Sequence, residues 1–163
     1  MSELQELFLE ELADVLHAEG QLLKALPKMA KAANSPGLKK AFQSHLKETE
    51  AQVSRLKQVF EKFNKPAKAK KCDAMEGLLE EGKKIMTEWA DSTALDAGLI
   101  AAAQKVEHYE IATYGCLCTW GRMLGNPAAL KLLKQNMAEE EAADKKLTEL
   151  AESCINAAAN ENS

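Results

Sequence analysis

AAAQKVEHYEIATYG, residues 101–115, places two glutamates and a histidine in the middle of a run that otherwise reads as buried helix. On a helix turning about 100° per residue, Ala103, Glu107, Glu110, Tyr114 and Leu117 share one face. Glu110 stands near the centre of that face, and His108 points about 150° away from it. A buried carboxylate without a partner costs several kcal/mol, or else stays neutral through a raised pKa. One such acid could be an accident of packing, so the other apolar stripes of the chain decide how to read this one.

They repeat the pattern. Between residues 3 and 33 the stripe runs Leu12, Val15, Glu19, Leu22, Leu26, Met29, with Glu19 at its centre. In the next segment Ala41, His45, Gln52, Leu56 and Phe63 share a face, and Glu48 lies toward its edge. The last long segment follows a heptad, Leu130, Leu133, Met137, Glu140, Asp144, Leu147 and Ala151, with Glu141 flanking. Acid on all four stripes needs a cation, and no Lys or Arg is expected to point inward with it.

The breaks between segments set the architecture. SELQ at 2–5 has the form of a capping box and opens a helix expected to reach about Ala33. NSPG at 34–37 supplies a cap at Ser35 and a proline at the first helical position, starting a helix to about Phe63. NKPAKAKK, 64–71, reads as a solvated basic linker, and DAME at 73–76 opens a short third helix to about Trp89. That helix has one apolar face (Met75, Leu78, Leu79, Ile85, Met86, Trp89) and keeps Glu76, Glu80 and Glu81 off it. DSTALD, 91–96, begins the fourth helix; LGNPAA, 124–129, ends it at Gly125 and caps the fifth with Asn126. No segment alternates as a strand does. The expected fold is all-α: a four-helix bundle of helices 1, 2, 4 and 5, with one crossover carrying the short third helix on its outside. One domain is expected over 1–158, with 159–163 as a frayed tail.

Depth along the helices tests the acid stripes independently. Antiparallel helices pair residues at equal distances from their turn. With a turn near residue 35, Glu19 faces the level of Glu48 and Gln52; with a turn near 125, Glu107 and Glu110 face Asp144 and Glu140. Carboxylates converging from four helices are the pattern of a dinuclear carboxylate site. Oxygen donors with little nitrogen suit Fe or Mn better than Zn. The candidate metal ligands are Glu19, Glu48, Glu107, Glu110, Glu140 and Asp144, with His45 and Glu141 as further candidates. Glu-x-x-His, the usual di-iron helix motif, is absent; His45-x-x-Glu48 and Glu141-x-x-Asp144 are its nearest equivalents. Tyr114, one turn beyond Glu110, could hydrogen-bond a ligand or donate an electron, or use its hydroxyl locally as buried tyrosines do. His17 and Asp14 read as surface residues.

Composition narrows the function classes. The 163 residues are 46% hydrophobic, 28% charged and 5% aromatic, with a formal net charge of −4. That is ordinary for a soluble single domain, favours helix, and gives no electrostatic reason to expect nucleic-acid binding. The acidic, amphipathic start lacks the basic, apolar plan of a signal peptide, and no run is apolar enough for a membrane span. Cys72, Cys116, Cys118 and Cys154 form no disulfide framework and read as reduced, buried thiols of a cytoplasmic protein. Residues 116 and 118 diverge by about 200° on a helix and should not clasp one metal. Dinucleotide, P-loop and Ser-His-Asp motifs are absent.

LADVLHAEGQLLKALPKMAKAA, LKKAFQSHLKETEAQVSRL, AMEGLLEEG, LIAAAQKVEHYEIATYG and AALKLLKQNMAEEEAADKKLTELA together resemble the YciE/YciF family of ferritin-like proteins over nearly the whole chain. The resemblance implies a bacterial, cytosolic, stress-associated, ferroxidase-like bundle that forms homodimers. Two functions follow as expectations: a di-iron or iron–manganese protein reacting with peroxide or O2, and, as the alternative, a bundle in which metal stabilises the fold without turnover.

Overall fold

The computed structural model describes residues 1–161. The elements follow in the order α1 Glu3–Ala32, α2 Pro36–Lys62, α3 Asp73–Glu88, α4 Leu95–Met123 and α5 Pro127–Leu150. A π-helical turn, Ala151–Ile155, then leads into α6, Asn156–Asn160. Of the expected frayed tail, 159 and 160 are therefore helical, while 162 and 163 lie outside the described residues.

Local chemistry sets the boundaries. Ser2 Oγ accepts from the Gln5 amide at 3.2 Å, Ser35 Oγ from Leu38 at 3.4 Å and Asn126 Oδ1 from Ala129 at 3.0 Å, each satisfying an amide that helix geometry leaves open. Gly125 takes φ +69°, the left-handed conformation that stops α4 one residue before the Asn126 cap. The cap of α3 is Cys72, whose sulfur accepts from the Met75 amide at 3.4 Å, and the DAME stretch opens the helix with Asp73 as its first residue.

α1 packs on α2 and α4 on α5; α2–α5 and α1–α4 contacts close the ring, and α3 lies against α4 and α1. This is the all-α bundle with one crossover. The exposed positions of Glu76, Glu80 and Glu81 match expectation, but Trp89, the residue that caps the end of α3, is 49% exposed. The thiols divide: Cys72 and Cys118 are buried, whereas Cys116 and Cys154 are exposed. Burial on all four was expected from residue type alone, and it fails where the cysteine falls on the outer face of its helix.

Two apolar cores fill the bundle. One gathers Phe8, Leu12, Leu56, Phe60, Leu117 and Leu133, the other Leu22, Leu26, Phe42, Leu99, Val106 and Leu147. In chain order each bundle helix passes from one core to the other through polar residues: Glu19 on α1, His45, Thr49 and Gln52 on α2, Glu107 and Glu110 on α4, Asn136 and Glu140 on α5. All eight are buried. The fold thus holds a polar layer between two greasy halves.

Two long-range contacts fix the ends of that frame. Asp96, 7% exposed at the start of α4, accepts from the backbone amides of Asn34 (2.8 Å) and Ser35 (2.6 Å), tying the α1–α2 turn to α4. Asp96→Ala leaves both amides without their charged acceptor and is expected to cost about 2–4 kcal/mol in urea unfolding. Asp96→Asn, which keeps one acceptor oxygen, should cost less; an unchanged midpoint for Asp96→Ala would mean water replaces the carboxylate freely. At the crossover, Asp14 and His17 are half-buried under the incoming chain rather than on open surface. The Tyr109 hydroxyl donates to Asp14 at 2.6 Å and lies 3.1 Å from the Cys72 sulfur; His17 Nδ1 accepts from the Cys72 amide at 3.1 Å.

Candidate metal centre

The polar layer brings one ligand atom each from His45, Glu107, Glu110 and Glu140 within 4.8 Å of one another. His45 Nε2 lies 3.1 Å from Glu107 Oε1 and 3.6 Å from Glu140 Oε2, and is left without a hydrogen-bond partner. Its other nitrogen, Nδ1, stands 3.1 Å from Glu48 Oε2. Ligating histidines are typically held by a carboxylate at the far nitrogen, and this arrangement leaves Nε2 aimed at the acids.

Glu19 enters from α1. Its Oε1 accepts from the Tyr114 hydroxyl at 2.6 Å, and its Oε2 has no partner. Tyr114 itself accepts from Asn136 Nδ2 at 3.1 Å, and Asn136 accepts from Arg55 at 2.8 Å. Arg55 also binds Glu139 at 2.7 Å, and Gln52 donates to the same carboxylate oxygen at 3.1 Å. Arg55 is the inward-leaning cation that the stripes were not expected to supply, and its charge is taken up by Glu139 at the α2–α5 seam.

Among the described residues, eight buried side-chain nitrogen and oxygen atoms lack a hydrogen-bond partner, and every one lies in this layer. Both oxygens of Glu110 and of Glu140 are among them, with one atom each from Glu19, Glu107, His45 and Gln52. Buried polar groups in folded proteins are otherwise almost always paired. Oxygen donors plus one imidazole nitrogen, all unpaired and converging, fit a hard or borderline cation.

The electrostatics say the same. Burial, reinforced by the nearby Glu140 charge, pushes Glu19 up to about 8 from an ordinary 4.5. Glu110 is raised well above its ordinary value by burial and then by Glu19, Glu140 and Glu107; Glu140 is raised by burial and Glu107. Burial alone would lower His45, but Glu107, Glu48 and Glu140 outweigh it and raise its pKa. Without a cation, the layer holds its charge by retaining protons.

The remaining candidates stand further out. Glu48 has a side chain 41% exposed and touches the layer through His45. Asp144 is half-buried, accepts from Gln104 at 3.2 Å and lies 3.2 Å from the exposed His108. Glu141 is exposed on the outer face of α5. The heptad placed Met137 and Asp144 inside, whereas the buried face runs Ala129, Leu133, Asn136, Glu140, Leu147. Asn136 and Thr49 were missed, although each sits one helical turn from a residue already singled out, Glu140 and His45.

A crossover four-helix bundle with a buried carboxylate–imidazole layer defines a helical bundle of the ferritin-like kind. The chain belongs to the family described as domain of unknown function DUF892, whose model matches residues 3–160. It is 46% identical to Protein YciF of Escherichia coli (strain K12) over 157 residues, 96% of this chain and 95% of that protein. The crystal structure of the E. coli stress protein YciF superposes with a TM-score of 0.91, covering 96% of this chain and 99% of that one. YcfI from Rhodopseudomonas palustris matches at 43% identity with a TM-score of 0.87, over 90% of this chain and 94% of its own. A Xanthomonas campestris protein at 20% identity shares the fold, with a TM-score of 0.75 over 96% of each chain.

Proposed function

We propose that this chain is a di-metal carboxylate protein that takes up iron, with manganese suiting the same donors, and turns over Fe(II) with peroxide or O2. The supporting observation is that, among the described residues, every partnerless buried side-chain nitrogen or oxygen lies in one layer fed by four helices. In this reading His45 Nε2, Glu107, Glu110 and Glu140 would hold one ion, and Glu19 would contribute to a second beside it. Glu48 orients His45, and Tyr114 orients Glu19 through its 2.6 Å hydrogen bond. Bound Fe(II) would supply redox chemistry there: two electrons, one from each iron, and two protons would convert one peroxide to two waters. The carboxylates give up their protons when a cation binds, so the two protons of the peroxide step would come from water reaching the site.

The protein is further proposed to act as a cytoplasmic homodimer without nucleic-acid or membrane partners. Among the described residues no helix is long and apolar enough to cross a membrane.

The test is anaerobic reconstitution with Fe(II), metal analysis, then addition of peroxide while absorbance is followed. About two irons per chain, as expected of a dinuclear carboxylate bundle, with oxidation faster than the protein-free rate, is the expected result. One metal or fewer with no accelerated oxidation would overturn the enzymatic reading and leave an ion that stabilises the fold.

A further inference from the structure

A cavity of about 450 Å³ opens between α2 and α5 and ends on the polar layer. Its floor is the buried His45 and Glu107, with the half-exposed Glu48 beside them; its walls include Phe42, Leu147 and Leu150. Lys40 and Lys146 also line it, and both are exposed, so they stand at the rim while Glu107, 2% exposed, stands at depth. Lys146 approaches Glu149 only to 3.8 Å, leaving its charge available to an incoming anion. Gly37 lines the outer end: a Cβ there would come 3.2 Å from Leu150 Cδ2, so a larger residue would press on the opposite wall.

Volume, lining and charge together describe a small-molecule site. Pockets of about 300–1,000 Å³ with mostly apolar walls and a few placed polar groups are those that bind organic ligands. A cavity that served only peroxide or O2 would need neither this volume nor two cations at its mouth. The vertical order of charge sets the polarity of the occupant. Ammonium groups at the rim attract an anionic head, and the carboxylates at the floor repel one, so the apolar part must enter first.

We propose that this cleft binds a free apolar carboxylic acid of medium chain length, carboxylate at Lys40 and Lys146 and hydrocarbon directed at His45 and Glu107. The inference deepens the reading of the layer as a metal centre, since it places an organic compound against that centre. Binding itself needs only the cleft, and can be measured without metal.

Decanoate is titrated into the metal-free full-length protein by calorimetry, with decan-1-ol as the uncharged control, and metal uptake is measured on the same preparation. Decanoate is expected to bind saturably and about tenfold more tightly than the alcohol, the effect of two solvent-exposed charge pairs of somewhat under 1 kcal/mol each. The doubly substituted Lys40→Glu, Lys146→Glu protein should lose that preference, and Ala143→Trp, which fills the cleft from α5, should lose binding of both compounds. Circular dichroism confirms that each variant is folded. Absence of decanoate binding to the unsubstituted protein, equal affinity for acid and alcohol, or full binding by Ala143→Trp would overturn the proposal. Decanoate binding without any metal uptake would overturn the metal reading and leave the cleft standing.

Discussion

Glu110→Gln is expected to abolish stoichiometric metal uptake and, in the same protein freed of metal, to raise thermal stability. Both oxygens of Glu110 are buried and unpartnered, and Glu19, Glu107 and Glu140 surround them. Glutamine has the same shape, carries no charge, and can donate from its amide to the partnerless oxygens of its neighbours. Replacing a buried, uncompensated ionisable group by a neutral one of equal volume is worth about 1–3 kcal/mol. In a domain of this size each kcal/mol moves the midpoint by about 2–4 °C. Metal affinity should fall at least about 100-fold, the cost of losing a central or bridging ligand being several kcal/mol. Calorimetric melting in the presence of chelator, paired with metal analysis, reads both effects. A variant that melts lower than the parent without metal, yet keeps its metal content, would mean that the layer is held by its own hydrogen bonds and that Glu110 is no ligand.

The second large effect is pH-dependent. In the metal-free protein Glu19 titrates near 8 instead of 4.5, and Glu110 and Glu140 are raised as well. Between those two pH values the folded chain holds more protons than the unfolded chain. Stability must therefore fall as pH rises through the window, and it is greatest on the acid side of it. His45 acts in the same direction: its raised pKa contributes stability while it is protonated, and that contribution is lost as pH climbs. Metal reverses the slope, because its ligands must be deprotonated and binding releases their protons. The metal-induced rise in melting temperature is accordingly expected to be larger at pH 8 than at pH 6. At a free metal concentration of 100 times the dissociation constant it corresponds to about 2.7 kcal/mol. Melting curves with and without Mn(II), a redox-quiet substitute for iron, measure this. Metal-free stability that rises across the window, or a metal effect that ignores pH, would contradict a layer of protonated ligands.

The two effects share one cause. The layer interrupts the bundle's apolar interior where Leu or Phe would otherwise join the cores on either side. Without a cation it stores protons and leaves donors and acceptors unsatisfied, so it weakens the fold. Such an arrangement is suited to binding an ion, and the oppositely directed responses of the metal-free and metal-loaded protein are its signature.

Much of this was legible in the chain itself. Caps at Ser2, Ser35 and Asn126, the stop at Gly125 and the 100° periodicity determine where the helices begin, end and face, because each depends on neighbours within about one turn. The same periodicity places Glu19, His45, Glu107, Glu110 and Glu140 inward, and the hairpin geometry places them at one depth. Tertiary structure alone decided who meets whom. Asp96 holding the α1–α2 turn, Arg55 meeting Glu139 and Asn136, and Tyr109 bridging Asp14 to Cys72 join residues 37 to 95 positions apart. Residues that far apart carry no local signal of one another. On α5 the heptad held at Leu133, Glu140 and Leu147, but Leu130, Met137 and Asp144 are only half-buried, and Ala129 and Asn136, one position earlier, take the core face. Which side of a stripe is buried then depends on how the neighbouring helices lean. The same lean divides the carboxylates: Glu48 and Asp144 stay at the rim, while Glu19, Glu107, Glu110 and Glu140 close on a common centre. A sequence fixes the direction of each side chain about its own helix axis, and only the packed bundle sets the rotations of those axes that bring the directions to one point.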